Sequence, residues 1–229
     1  QNAASQLGLR SPSFIVGSQD LMAQQMLRLV NQTGAELMKA HGWQNLVVEV
    51  SATTTATVVQ SGLLPAASYH RMVYNAEIWN RTTNERYSGP TPQRAWVQLK
   101  TGVSGGVAGW WRILGNDLHI FPAPSTGQVL NFEYIDKRFA ASALGANQSA
   151  FQADSDVTRI ADDELLTLGL VWRWRHSKGL PQYAEDFATF EREKERAMAA
   201  DRASGRIRTD AGDVDDLPSQ PGWDGSITV

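Results

Sequence analysis

The chain has 229 residues, enough for one large or two small domains with a real core. A formal net charge of −3 argues against a protein that coats DNA. The absence of Cys excludes a disulfide framework and a thiolate zinc site, and is compatible with a reducing cytosol. No apolar run approaches the ~20 residues that span a bilayer. The first residues, QNAASQLGLRSPSF, lack the apolar core of a signal peptide.

Residues 1–17 read as an extended segment. Ser18 to His41 predicts a helix, because Met22, Met26, Leu29, Val30, Thr33 and Leu37 recur at helical spacing. Ser18 is placed to cap it, and Gly42 to stop it. NLVVEVSATTTATVV then turns β-rich, with Asn45–Val50 and Thr54–Val59 expected to pair as a hairpin. Pro65 suits a first helical turn, so a short helix to about Val73 is expected, followed by an extended Glu77–Trp79. RTTNERYSGPTPQ is a turn-rich link. Thr91 is expected to cap a short helix with Pro92 at its first position, running to about Lys100.

TGVSGGVAG is Gly-rich but holds no Lys and no G-x-x-x-x-G-K-[ST] pattern, which leaves a loop and not a phosphate cradle. WWRILGNDLHIFPAPSTGQVLNFEYI predicts a three-stranded meander: Trp111–Leu114, Leu118–Phe121 and Val129–Ile135, with turns at Gly115-Asn116-Asp117 and at Pro122 to Gly127. Ala140 to Asp156 reads as mostly irregular.

DDELLTLGLVWRWRHSKGLP, starting at Asp162, has strand-like alternation at its centre. Its acidic start, its apolar pattern over more than three turns and its Lys178-Gly179 end predict a helix instead. At ~100° per residue, Leu165, Leu168 and Trp172 share one side and Leu166, Leu170 and Trp174 lie nearly opposite. A helix apolar on both sides is covered on both sides. Two readings fit equally: a central core helix of one chain, or a helix that also forms a subunit interface, where Trp and Arg are enriched. A second helix follows Pro181, with Tyr183, Phe187 and Phe190 on one stripe.

Chemistry-bearing patterns are sparse. His41, His70, His119 and His176 are scattered without metal-ligand spacing. Asp162, Asp163 and Glu164 suit a helix N-terminus, with Asp154 and Asp156 just upstream. No catalytic, metal or cofactor set emerges, and a non-enzymatic protein is expected.

Four stretches carry a resemblance: LVNQTGAELMKAHGWQNL; LPAASYHRMVYNAEIWNRTTNERYSGPTPQRAW; WWRILGNDLHIFPAPSTGQVLNFEYI; and ADDELLTLGLVWRWRHSKGLPQYAEDFATFEREKERA. Their order and character resemble the head-to-tail adaptor (head completion, connector) proteins of tailed bacteriophages, over roughly Ser18 to Asp201. The most specific parts are Trp79 to Trp96 and the final stretch. The resemblance implies an α+β fold: mainly a helical bundle, 18–41 and 161–204, carrying a β-rich insertion of meander and hairpins at about 44–135. It implies a virion protein, assembled in the bacterial cytoplasm, that forms a ring of commonly twelve copies under the portal protein. The ring extends the DNA channel, lets genomic DNA pass without sequence-specific contacts, and docks the tail or neck proteins. It involves no membrane and no cofactor. In this reading Leu165, Leu166, Leu168, Leu170, Trp172 and Trp174 serve core or subunit packing.

Residues 205–229 read as an extended C-terminal arm. Arg206 and Arg208 precede Asp210, Asp213, Asp215 and Asp216, and Pro218 and Pro221 disfavour helix. Trp223 and the β-prone Ile227–Val229 suit docking on a neighbour, with the portal the expected one. The competing expectations are a nucleic-acid-binding protein using Arg173, Arg175, Lys178 and the Trp residues, and a phage-associated hydrolase using the Asp162–Glu164 carboxylates.

Overall fold

The computed structural model describes residues 2–10, 12–101, 109–160 and 163–203. Among them are five α-helices and three antiparallel sheets. The helices are α1 (Asn2–Gln6), α2 (Leu21–Ala40), α3 (Gln93–Lys100), α4 (Asp163–Ser177) and α5 (Tyr183–Ala203).

The first sheet holds β1 (Val47–Thr53), β3 (Tyr69–Met72), β4 (Ile78–Asn80), β5 (Glu85–Tyr87) and β8 (Val129–Asp136). Its order is β1-β8-β4-β5, with β3 also paired to β8. The second sheet runs β2 (Val59–Gln60), β7 (Asp117–Phe121), β6 (Trp110–Leu114). The third is a small sheet of β9 (Ala140–Ala141) between β10 (Asn147–Gln148) and β11 (Val157–Thr158).

This corrects the expected fold class. The chain is not mainly a helical bundle with a β insertion: three antiparallel sheets of about eleven strands dominate the architecture, and α1, α2, α4 and α5 pack together while α3 stands apart on the second sheet. Many strands are only two to four residues long and pair with distant segments, so no local alternation announces them.

Several local expectations change for the same reason. Asn45–Val50 and Thr54–Val59 do not form a hairpin. β1 pairs instead with β8, Val47 opposite Ile135 through Thr53 opposite Val129, and β2 pairs with β7. The register places Val48, Val50 and Ala52 on the face where Leu130, Phe132 and Tyr134 are buried. Pro65 opens a turn, not a helix, accepting from the Ser68 and Tyr69 amides, and β3 follows. The β6–β7 hairpin forms as expected, but β8 leaves it for the first sheet, so there is no meander. The irregular expectation for 140–156 misses β9 and β10.

Residues 1–17 are not simply extended, since α1 buries Ala3 and Ala4 against Met26, Leu170, Val171 and Trp174. A five-residue helix has little stability alone, so this contact holds it. Asp20, not Ser18, caps α2 by accepting from the Met22 amide at 3.0 Å. Pro92, not Thr91, is the N-cap of α3, and the Thr91 hydroxyl makes no hydrogen bond. The Gly-rich stretch at 102–108 lies outside the described residues.

Two large cores result. One gathers Leu37, Trp43, Leu46, Ile135, Phe139, Ile160, Leu165 and Phe190 between the helices and the end of the first sheet. The other lies between the first and second sheets, around Ile78, Trp111, Leu118, Ile120, Leu130 and Phe132.

Where β8 ends, Asp136 is fully buried. It accepts from the Arg138 guanidinium at 2.8 and 2.9 Å, from the Arg138 amide at 2.9 Å, and from Arg159 at 2.9 Å. Arg159 also donates to the Arg138 and Asn45 carbonyls, tying the third sheet to the first. Burial alone would raise the Asp136 carboxyl, but the Arg138 and Arg159 hydrogen bonds outweigh it and hold the group below its ordinary value. A depressed folded-state pKa stabilises the fold above the unfolded value and loses that contribution as pH falls. We expect stability to drop from about pH 4 downward through the lower folded value. Asp136→Asn should cost about 3–5 kcal/mol at pH 7 by stranding the two guanidinium groups, and should flatten that acid limb. Urea unfolding of both proteins between pH 7 and pH 3 checks this. An unchanged acid limb would remove Asp136 as its source.

Candidate functional site

Helix α4 is where the sequence concentrates Trp and Arg, and the fold covers it on both sides. Leu165 and Leu166 enter the core shared with α2 and α5. Leu168 and Trp172 pack at that core's margin, partly buried. Leu170, Val171 and Trp174 enter a third cluster against α1 and Met26 of α2. Gly169 makes the close crossing possible: a Cβ there would stand 2.2 Å from the Thr33 methyl of α2 and 3.2 Å from the Phe190 ring of α5.

The cations of α4 are engaged within the chain. Arg173, only 8% exposed, donates to the Thr33 hydroxyl at 3.1 Å, pairs with Glu36, and stacks over Trp172 at 4.4 Å. Arg175 grips the Asp186 carboxylate at 2.7 and 2.8 Å, and reaches the Gln6 carbonyl at 3.3 Å. Lys178 donates to Gln25 at 3.1 Å and lies over Trp174 at 4.7 Å. The residues grouped by a nucleic-acid reading are therefore committed to joining α4 to α1, α2 and α5. Sequence pattern showed the helix but not that Arg173 turns inward, because a Thr in the facing helix supplies its partner.

An aromatic cluster closes the α4–α5 seam. Trp172 meets Phe187 edge-on at 5.0 Å and Phe190 at 6.2 Å, while His176 meets Tyr183 at 4.9 Å. Phe187, Tyr183 and Leu180 keep 42, 39 and 43% of their surface exposed, so this seam also presents apolar area to solvent.

The candidate carboxylates hold backbone. Asp154 accepts from the Ile15 and Val16 amides, pinning the N-terminal segment. Asp156 accepts from Gln152 and Ala153. Asp163 and Glu164 occupy the first turn of α4, and Asp162 lies outside the described residues. Among the described residues no group of three or more His, Asp or Glu is arranged to hold a metal ion, and no helix is long and apolar enough to cross a membrane. The histidines stay apart. His41 pairs with Asp201 at 3.0 Å, and His119 packs on Trp96. Burial, then the Arg112 cation, pushes His119 below its ordinary pKa.

Asp201 also accepts from the Gln44 amide at 3.2 Å, which fixes the end of α5 to the start of the β body. The arm residues Arg206, Arg208, Trp223, Ile227 and Val229 lie outside the described residues. No protein-family model matches the chain, and no curated protein matches it.

Trp174, at 6% exposure, is the larger structural anchor of the pair. Trp174→Ala should cost about 3–5 kcal/mol, and Trp172→Ala less, since its ring is only partly covered. Chemical denaturation of the isolated chain measures both. Equal stability of Trp174→Ala and wild type would contradict the packing of α4 on α1.

Proposed function

We propose that this chain is a head-to-tail adaptor of a tailed bacteriophage: a structural virion protein that forms a ring beneath the portal, extends the DNA channel and offers a docking face to the tail. The observation that carries the reading is the ordered resemblance of the four sequence stretches over roughly Ser18 to Asp201. Its two most specific parts fall on β4 to α3 and on the α4–α5 hairpin.

Two features of the molecule support a structural role. The Trp and Arg side chains of α4 are spent on packing and pairing, which suits a rigid scaffold. The end of α5, shortly before the sequence that begins at Gly205, is anchored through Asp201 to His41 and Gln44. In this reading that sequence is an arm that orders on the portal, with Trp223 in an apolar pocket and Ile227–Val229 along a sheet edge. A conduit for DNA has no use for tight base or phosphate contacts, which would act as brakes.

The isolated chain is expected to be monomeric at low concentration and to assemble on portal. Negative-stain imaging of the chain mixed with cognate portal should show rings. Truncation after Ala203 should reduce that docking and the yield of infectious particles. A full-length chain that never binds portal sinks the adaptor reading; a truncated chain that docks and supports infection as well as the full one sinks the arm.

A further inference from the structure

The sequence from Ser88 to Asn116 contains Arg94, Lys100 and Arg112 and no Asp or Glu. α3 and β6 place these cations on the outer side of the second sheet, a face that Asp117 of β7 shares. α3 lies on the outer face of the second sheet, Trp96 resting 6.3 Å from both His119 and Phe121, and the Arg112 guanidinium stacks on Trp96 at 4.6 Å. No carboxylate pairs with Arg94, Lys100 or Arg112 among the described residues.

A cleft of about 570 Å³ opens beside the start of α3, lined by Tyr69, Thr91, Gln93, Trp111, Arg112 and Leu114 among others. None of its lining residues is acidic. The Thr91 hydroxyl, the Trp111 indole N–H and the Arg112 Nε are buried without hydrogen-bond partners, and all three can donate. Leu114 stands 55% exposed at the rim. This chemistry calls for an acidic, acceptor-rich partner surface.

The opposite side of the body has the complementary character. Glu49 and Glu133 face each other directly across the β1–β8 ladder, a like-charge pair that costs stability in the lone chain. Both line a hollow together with Glu77 and Arg81; Glu77 is paired with Arg86 at 2.7 Å, and Glu49 accepts from the Asn131 amide at 3.2 Å. Tyr74, 89% exposed, stands at its edge. The Glu49 and Glu133 side chains lie on the face of the first sheet opposite to Leu130 and Tyr134, whereas α3 covers the outer face of the second sheet.

We propose that the basic α3–β6 face of one copy docks onto the acidic Glu49–Glu133 face of a second copy, head to tail. Because the two patches lie on opposite sides, each copy uses both, and the contact repeats into a closed ring or an open chain. The proposal rests on the ring-forming reading and names the surfaces that make the ring. A nucleic-acid phosphate is the rival occupant of the basic face. Protein is the better fit, because Arg112 is held in a stack beside an apolar-rimmed cleft while the same chain supplies the acidic counterpart.

The chain has no Cys, so two introduced thiols report only on themselves. Gln98→Cys on α3 and Ser51→Cys on the acidic face are both exposed and leave every charge in place. The double variant, concentrated and treated with a short bis-maleimide, should give a ladder of dimers, trimers and higher species. Each single variant should give none. Arg112→Glu in the double background should cut the ladder about fivefold, and adding Glu49→Arg should restore it. Cross-linking no greater than that of a control pair, Gln98→Cys with Leu144→Cys, overturns the proposal. So do dimers from either single variant, which would mean a two-fold contact. So does binding of a short DNA duplex that Arg112→Glu abolishes while no ladder forms. Failure to dock on portal, by contrast, would sink the adaptor reading and leave the ladder result standing.

Discussion

Strand β8 is the constraint on which the other elements depend. Its even residues, Leu130, Phe132 and Tyr134, fill the core between the two larger sheets, while Ile135 belongs to the helical core. β1, β3 and β4 all pair with it, so a slip of one residue would expel three large side chains from one core and break three ladders together. The strand ends at Asp136, whose buried charge is balanced by Arg138 and Arg159. One segment therefore sets the register of the first sheet, joins the two large cores and anchors the third sheet.

The helical layer meets this frame at close quarters. Gly34 of α2 lets the Phe139 ring approach to where a Cβ would stand 2.3 Å away, and Gly169 of α4 does the same for Thr33. Both contacts are fixed by shape, so α2 and α4 cannot slide without losing them. Arg173 then spans the same crossing as a polar bolt, its head satisfied by Thr33 and Glu36 and its plane by Trp172. A buried arginine of this kind is worth little as net stability, but it penalises any packing that leaves it unpaired.

Helices α2 to α5 were legible in sequence because their signals are local, whereas α1, held only by its tertiary contact, was not, and the helix expected after Pro65 is a turn. The stripe of α2, the acidic start of α4 and the Pro181 break before α5 each report on residues within a few turns. The β6–β7 hairpin was legible too, through its Gly115-Asn116 turn. The partners of β1 and β8 were not: their matching faces are separated by about eighty residues along the chain, and alternation says which residues share a face but not which strand they meet. Thr54 illustrates the limit. It reads as a β-former in a hairpin, yet it ends β1's pairing by exchanging hydrogen bonds with Gly127 and Gln128, about seventy residues further along the chain. The buried carboxylate of Asp136 had no sequence signature at all, because its two arginines are ordinary surface types until the fold turns them inward. Arg173 was missed in the same way, its inward turn depending on Thr33.

Charge distribution follows a similar logic. The small net charge of −3 conceals a separation: cations without acids along Ser88 to Asn116, and facing glutamates on the far side of the first sheet. Opposing Glu49 and Glu133 across a ladder is unfavourable in the lone chain, even with Asn131 donating to Glu49. Charges on solvent-exposed faces contribute little to folding, but they steer which surfaces meet and forbid like from meeting like. With an excess of acids on one side and of cations on the other, two copies brought face to face through the same patch repel, whereas copies stacked in one direction attract. Polarity of this kind selects a direction of assembly before any close contact forms, and it does so through residues that the two cores do not need.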